Sequence, residues 1–277
     1  MRAGAVILIL LTLAAALAPL FLPAPDALDL AARFAPPSLE HPFGTDELGR
    51  DLASRLLHGG RVSLAVALAT ALLAAAVGTG IGLVAGYHGG LADAALMRLT
   101  DGVMALPLLP LLIVLAAADP AKLGVPSEAM DSEGFAVGRL VMIIACVGWT
   151  TVARLVRAAT LSVRARDYVR AAVAMGASPA RIMLRHILPN IASPIVVATT
   201  LSVGNIILIE SALSFLGLGI RPPLASWGNM LTGAMDVVWS TPALAVWPGA
   251  AILLTVMAFN LLGDGLQRAL DPRKDAA

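Results

Sequence analysis

Apolar residues in this chain come in long unbroken runs. Charge-free stretches cover residues 3–25, 62–92, 102–118, 140–153, 186–209 and 237–263; the apolar part of the second ends near Tyr87, and the fifth extends past Glu210 to about Leu218. A bilayer core about 30 Å thick needs about 20 apolar residues in a helix. The pattern predicts an all-α polytopic membrane protein with about six transmembrane helices. Asp101 is placed to cap the third span. The fourth has 14 charge-free residues, and Arg139 and Arg154 at its ends can snorkel outward to lengthen it. The first run exceeds the 7–15-residue core of a signal peptide and is expected to stay as an anchor helix.

Between the first two spans, residues 26–61 form a long connection. Its first half, with Pro36, Pro37 and Pro42, reads as irregular. Residues 45–57 read as a helix capped by Thr45 or Asp46. Leu48, Leu52 and Leu56 lie on one face, with Arg50, Asp51 and Arg55 toward the other. It is expected to lie on the outer membrane surface or to cap the bundle. The chain thus divides into an anchor and outer segment (1–61), a transmembrane domain (62–273) and a tail (274–277). Gly78, Gly82 and Gly86 repeat every four residues and predict close approach of another helix.

Composition narrows the class. The chain of 277 residues is 58% hydrophobic and 13% charged, against about 25% charged in an ordinary soluble domain. A soluble globule is excluded, and so is disorder, which needs charge and few apolar residues. A net charge of +1 leaves no electrostatic footprint for nucleic acid. The single cysteine, Cys146, permits neither an internal disulfide nor a Cys-based zinc site and reads as a packing residue. With six spans, one side collects 12 Lys and Arg and the other 7; seven of the 12 are arginines between Arg154 and Arg185. Both termini and that segment are therefore expected in the cytoplasm. Trp227, Trp239 and Trp247 read as an aromatic belt at the outer end of the sixth span.

The segment between the fourth and fifth spans is the most informative. Asp167 can cap a first short helix that ends at Met175, Gly176 supplies the turn, and Ser178 caps a second helix with Pro179 at its first position. Ile182, Met183, His186 and Ile187 share one face of the second helix, Arg181 and Arg185 another. Pro189 breaks the hydrogen bonding before the fifth span. Ala171, Ala172 and Gly176 form a small face, rimmed by Tyr168 and arginines including Arg170. By composition this helix–Gly–helix suits either a groove of a soluble partner or a layer of anionic headgroups.

The segment resembles the EAA motif of permease subunits of ATP-binding-cassette importers. Ala171-Ala172, then Gly176, then Leu188-Pro189 keep its spacing, whereas Arg170 replaces the Glu and His186 the first Ile. The variant is similar to the dipeptide/oligopeptide/nickel branch. Residues 41–51 (HPFGTDELGRD) resemble the signature before the second helix of that branch's second, C-type permease. Residues 210–219 with Pro222-Pro223 and Ser226-Trp227-Gly228, and Asn260–Asp264 through Asp271-Pro272-Arg273, resemble two further stretches.

The resemblance implies a second homologous permease, two cytoplasmic ATPases that carry ATP and Mg, and an extracytoplasmic binding protein docking on the outer loops. It implies that this subunit carries no catalytic, cofactor or metal residues of its own. A Gly-x-x-x-x-Gly-Lys-Ser/Thr loop is absent from the sequence. It further implies that Tyr168, Arg170, Ala171, Ala172, Gly176, Ala177, Ser178, Arg181 and His186 face the ATPase within a coupling loop spanning residues 165–189.

Glu210, deep in an apolar run, is a candidate contact for a peptide ammonium or a metal ion, with a helix-to-helix bond preferred. Asn205 and Ser214 are assigned with it to the path or to helix packing. Asp101, Asn260 and Asp264 read as caps or interhelical bonds. His41, His58, His88 and His186 lie in separate segments and give a nickel substrate, the alternative cargo, no direct support. A secondary transporter would instead show internal repeats, or broken helices with midplane charges.

Overall fold

The structure, a computed structural model, describes residues 2–130 and 132–270. The Asp271-Pro272-Arg273 stretch, Lys274 and the tail lie outside the described residues. The described chain is helical, with a single isolated bridge between Thr45 and Asp51. In order come α1 (Arg2–Phe21), α2 (Leu52–His88), α3 (Gly90–Ala105), α4 (Leu108–Ala117), α5 (Ser127–Met130) and α6 (Glu133–Arg164). There follow α7 (Asp167–Ala174), α8 (Pro179–Arg181), α9 (Ala192–Phe215), α10 (Trp227–Ala234) and α11 (Ala243–Ala269). Five helical stretches are long and apolar enough to cross a bilayer, and α3 with α4 makes a sixth if the bent pair counts as one.

The scaffold is α2 against α6. A Cβ at Gly78 would lie 2.5 Å from the Trp149 carbonyl oxygen, and one at Gly82 2.5 Å from that of Ala153. A Cβ at Gly86 would lie 2.7 Å from the Thr160 Cβ. Glycine every four residues lets the backbones meet, as small-residue seams do in membranes. Contacts advance in the same direction on both helices, so α2 and α6 run parallel. The α3–α4 pair carries the chain back between them.

Several expectations change. The helix proposed for residues 45–57 begins at Leu52 and runs on through residue 61, so the boundary drawn there falls inside α2. Residues 45–50 instead fold as a tight loop. Gly49 has φ +72, and a Cβ there would sit 1.7 Å from the Asp29 carbonyl oxygen, which no other residue type accommodates. Asp51, not Thr45 or Asp46, is the cap: its Oδ1 accepts the Ser54 N–H at 2.6 Å while Oδ2 meets His41 Nδ1 at 2.9 Å. Asp46 is buried and accepts from Leu48 N, Arg50 N and Arg50 Nε.

The third span starts at Gly90, which places Asp101 inside α3 rather than at its cap. It breaks after Ala105, where extended Leu106 and Pro107, which has no N–H, turn α4 by 87°. The fourth span is a 32-residue helix that includes Arg154 and Arg157. Both are ion-paired to α3 instead of lying in the loop. Arg139 does not snorkel; its Nη2 donates to the Ala116 and Ala118 carbonyls that close α4.

Pro189 does not interrupt the chain. Residues Ile182–Ile187 widen into a π-helix and Leu188–Ile191 tighten into a 3-10 turn leading into α9. The register shift accommodates a ring that cannot donate, and Asn190 Nδ2 satisfies the His186 carbonyl at 2.8 Å. Trp227 is not interfacial: it is buried and donates from Nε1 to the Leu56 carbonyl at 2.9 Å. Trp239 is fully exposed, and Trp247 stacks on Phe43 with ring centroids 4.0 Å apart. Cys146 is exposed on α6 rather than packed.

Candidate functional site

Three places in the fold collect the residues singled out from the sequence. The first is the arginine-rich end, where α7 and α8 cross the bundle. Val169, Ala172, Ile182 and Ile187 are buried there. All but Ala172 pack with Leu83 of α2 and Val152 and Val156 of α6. The segment is thus anchored from beneath. α7 ends in a Schellman turn: Gly176 N–H bonds the Val173 carbonyl and Ala177 N–H the Ala172 carbonyl, with Gly176 at φ +77. Ser178 Oγ accepts the Arg181 N–H, with Pro179 first in α8. Arg166 takes the cap position of α7 without a side-chain bond, so Asp167 lies in the first turn instead of capping it.

Tyr168, Arg170, Ala171, Gly176, Ser178, Arg181 and Arg185 face outward, and Ala177 and His186 are half-buried. Ala172 is 3% exposed, so it belongs to the anchor and not to the outward small face. A Cβ at Gly176 would meet nothing within 4 Å. The outward face also carries Val173, Met175 and Leu184, which sequence reasoning passed over. Their signal was available. Once Val169 and Ala172 point inward, the 3.6-residue repeat sends Tyr168, Ala171 and Met175 outward.

The second place is a cavity of about 810 Å³. Val103, Met104, Leu106 and Leu108 of the α3–α4 elbow form one wall, and Thr150, Thr151 and Leu155 of α6 another. Ser193, Ser202 and Asn205 of α9 and Gln267 at the end of α11 add polar groups to those threonines. Its lining side chains carry no charge.

The third is Glu210, and it is not on the cavity. The carboxylate is fully buried and accepts from Ser63 Oγ at 3.0 Å, Ser214 Oγ at 2.8 Å and Ser211 Oγ at 3.4 Å. Ser63 Oγ accepts the Trp227 N–H at 3.2 Å, and Ser214 Oγ the Ile220 N–H at 3.0 Å. One carboxylate therefore ties α2, α9 and the start of α10 together. Of Asn205, Glu210 and Ser214, the structure brings the last two into this knot and leaves Asn205 on the cavity. Asp101 makes an interhelical ion pair with Arg154. Asn260 lies beside Gly204 of α9, and Asp264 is exposed near the end of α11.

Comparison with known proteins gives the family. Residues 78–276 match the family described as binding-protein-dependent transport system inner membrane component. A Brucella suis protein named as a peptide permease is 42% identical over 275 residues, covering 98% of this chain and 86% of the relative. The glutathione transport system permease of Pectobacterium atrosepticum is 41% identical over 237 residues, covering 86% of this chain and 74% of the relative. Among solved structures, an amino acid ABC transporter crystallised with histidines shares the fold at TM-score 0.57 and 17% identity, covering 78% of this chain and 94% of that one.

Proposed function

Because the chain belongs to the binding-protein-dependent inner membrane components and is the permease subunit of an ABC importer, we propose that it carries short peptides through the cavity described above. The cavity is one half of the path, and a second homologous permease supplies the other. Its uncharged walls suit a zwitterionic cargo that must leave as readily as it enters. The relatives named for peptides, and for glutathione, itself a tripeptide, support that cargo.

The chain hydrolyses nothing itself. Two cytoplasmic subunits hold ATP and Mg and dock on the outward face of α7 and α8, from Tyr168 to Arg185. Closure of the ATPase pair pulls this segment, and the anchor of Val169, Ile182 and Ile187 passes the pull to α2 and α6. Both termini lie in the cytoplasm. The binding protein docks at the opposite end of the bundle, on the loops that include residues 26–51.

The observation that carries this reading is the division of one short segment into a buried anchoring face and an exposed apolar-and-arginine face. Gly176 tests it. Leucine there meets a partner's surface, whereas asparagine keeps the left-handed turn with less bulk. The Gly176→Leu protein is expected to lose its ATPase on co-purification, and Gly176→Asn to keep it. If Gly176→Leu retains the ATPase and stimulates hydrolysis normally, the docking assignment is wrong.

A further inference from the structure

The cavity has walls of two kinds. α2 and α6 are locked by backbone-to-backbone contact along Gly78, Gly82 and Gly86. α3 is attached differently. Among its described residues only Thr100 is buried, and Leu91, Leu99 and Met104 are exposed. Val103 packs on the cluster of Ala74, Trp149 and Ala153 and Thr100 is fully buried, and two ion pairs join α3 to α6. Asp93 accepts Arg157 Nε at 2.5 Å and Nη2 at 2.6 Å, a two-pronged pairing that fixes orientation as well as distance. Eight residues on, Asp101 pairs with Nη2 of Arg154.

The two acids are about 12 Å apart along α3, while the arginines are about 4.5 Å apart along α6. The arginines therefore reach out from one stretch of α6 to hold two places on α3. Arg154 and Asp101 are half exposed, with side-chain exposures of 49% and 53%. Asp93 and Arg157 are less exposed, at 16% and 34%. α3 is thus held in a definite orientation by a few directional bonds rather than by a continuous packed seam. At its end the chain turns at Leu106–Pro107, and Val103, Met104, Leu106 and Leu108 around that elbow line the cavity. Displacing α3 from α6 necessarily displaces that wall.

We propose that Asp93–Arg157 and Asp101–Arg154 form an ionic clasp that positions α3 as the movable wall of the cavity, and that the transport cycle requires the clasp to open. This rests on the reading of the cavity as part of the path. The four residues are positioning residues; none of them lines the cavity.

The test uses the whole transporter in lipid vesicles, with partner permease, ATPases and binding protein, on a Cys146→Ser background. Asp101→Cys and Arg154→Cys together are bridged by a short, reducible bis-methanethiosulfonate. Bridging is expected to lower binding-protein-stimulated ATP hydrolysis at least tenfold, with recovery on reduction, whereas the one-armed reagent causes no such loss. Unchanged hydrolysis in the bridged protein overturns the clasp. Should the double-cysteine protein fail to assemble, charge exchange decides instead. Asp93→Arg and Arg157→Asp are each expected to impair hydrolysis and together to restore it at least fivefold over either alone; no restoration overturns the proposal. A bulky maleimide on Asn205→Cys tests the cavity separately. If it leaves transport of a labelled tripeptide intact, the cavity reading fails, whatever bridging shows.

Discussion

Adding one methyl group at Gly82 should separate the two helices on which the molecule is built. A Cβ there would stand 2.5 Å from the Ala153 carbonyl oxygen and 2.7 Å from the Val156 Cβ. Carbon atoms pack at about 3.5–4.0 Å, so α2 and α6 must part by about 1 Å, and such a gap forfeits a quarter to a half of each neighbouring contact. Overpacking of this kind costs about 1–3 kcal/mol. Alanine returns about 0.5–1 kcal/mol over glycine in a helix, so the net loss should be up to about 2.5 kcal/mol. Gly80 is the control: it lies on the same helix, and a Cβ there meets nothing within 4 Å. Gly80→Ala should keep the helix gain of about 0.5–1 kcal/mol and lose nothing. Thermal unfolding of the purified protein in micelles, followed by helical circular dichroism, should rank Gly80→Ala above the parent and Gly82→Ala below it. A Gly82→Ala protein as stable as Gly80→Ala would refute the argument that backbone contact between α2 and α6 sets this seam.

Two further substitutions probe the opposite end and the buried carboxylate. Glu210→Ala strands the hydroxyls of Ser63, Ser211 and Ser214 and opens a hole, at about 2–4 kcal/mol, whereas Glu210→Gln keeps an acceptor and should lose about 1 kcal/mol. Yield of assembled transporter should follow the same order. A Gln variant that assembles fully yet transports nothing would instead give the carboxylate a part in transport. Asp51→Ala removes the cap of α2 and the partner of His41, and should destabilise by about 1–2 kcal/mol in the same melt. No change would mean that the loop over residues 41–51 is held by Asp46 alone.

The arginines show how far the sequence could be read. Counting them identified the charged end of the bundle, since charge excluded from the bilayer must gather at its surfaces. But Arg154 and Arg157 fall beside Thr151 and Leu155, and no local pattern tells an arginine in a loop from one reaching across to Asp93 or Asp101. Ala172 misled for a related reason. A small residue is equally good for meeting a partner or filling a core, and the choice depended on which face of α7 the fold turns inward. Residues 45–50 read as helix because Leu48, Leu52 and Leu56 keep the spacing. What defeats that spacing is Asp29, twenty residues earlier, whose carbonyl oxygen stands where a Cβ at Gly49 would be.

Periodicity and composition report what each segment can do alone: which runs are long enough to cross a bilayer, where glycine lets a turn close, where serine and proline start a helix. Those features follow from backbone sterics and from the cost of placing charge in hydrocarbon, and they hold wherever the segment sits. The burial of Trp227 against Leu56 and the bond of Ser63 to Glu210 follow another rule. Each depends on a partner far along the chain, because buried polar groups must find donors or acceptors and only the folded arrangement decides which are in reach.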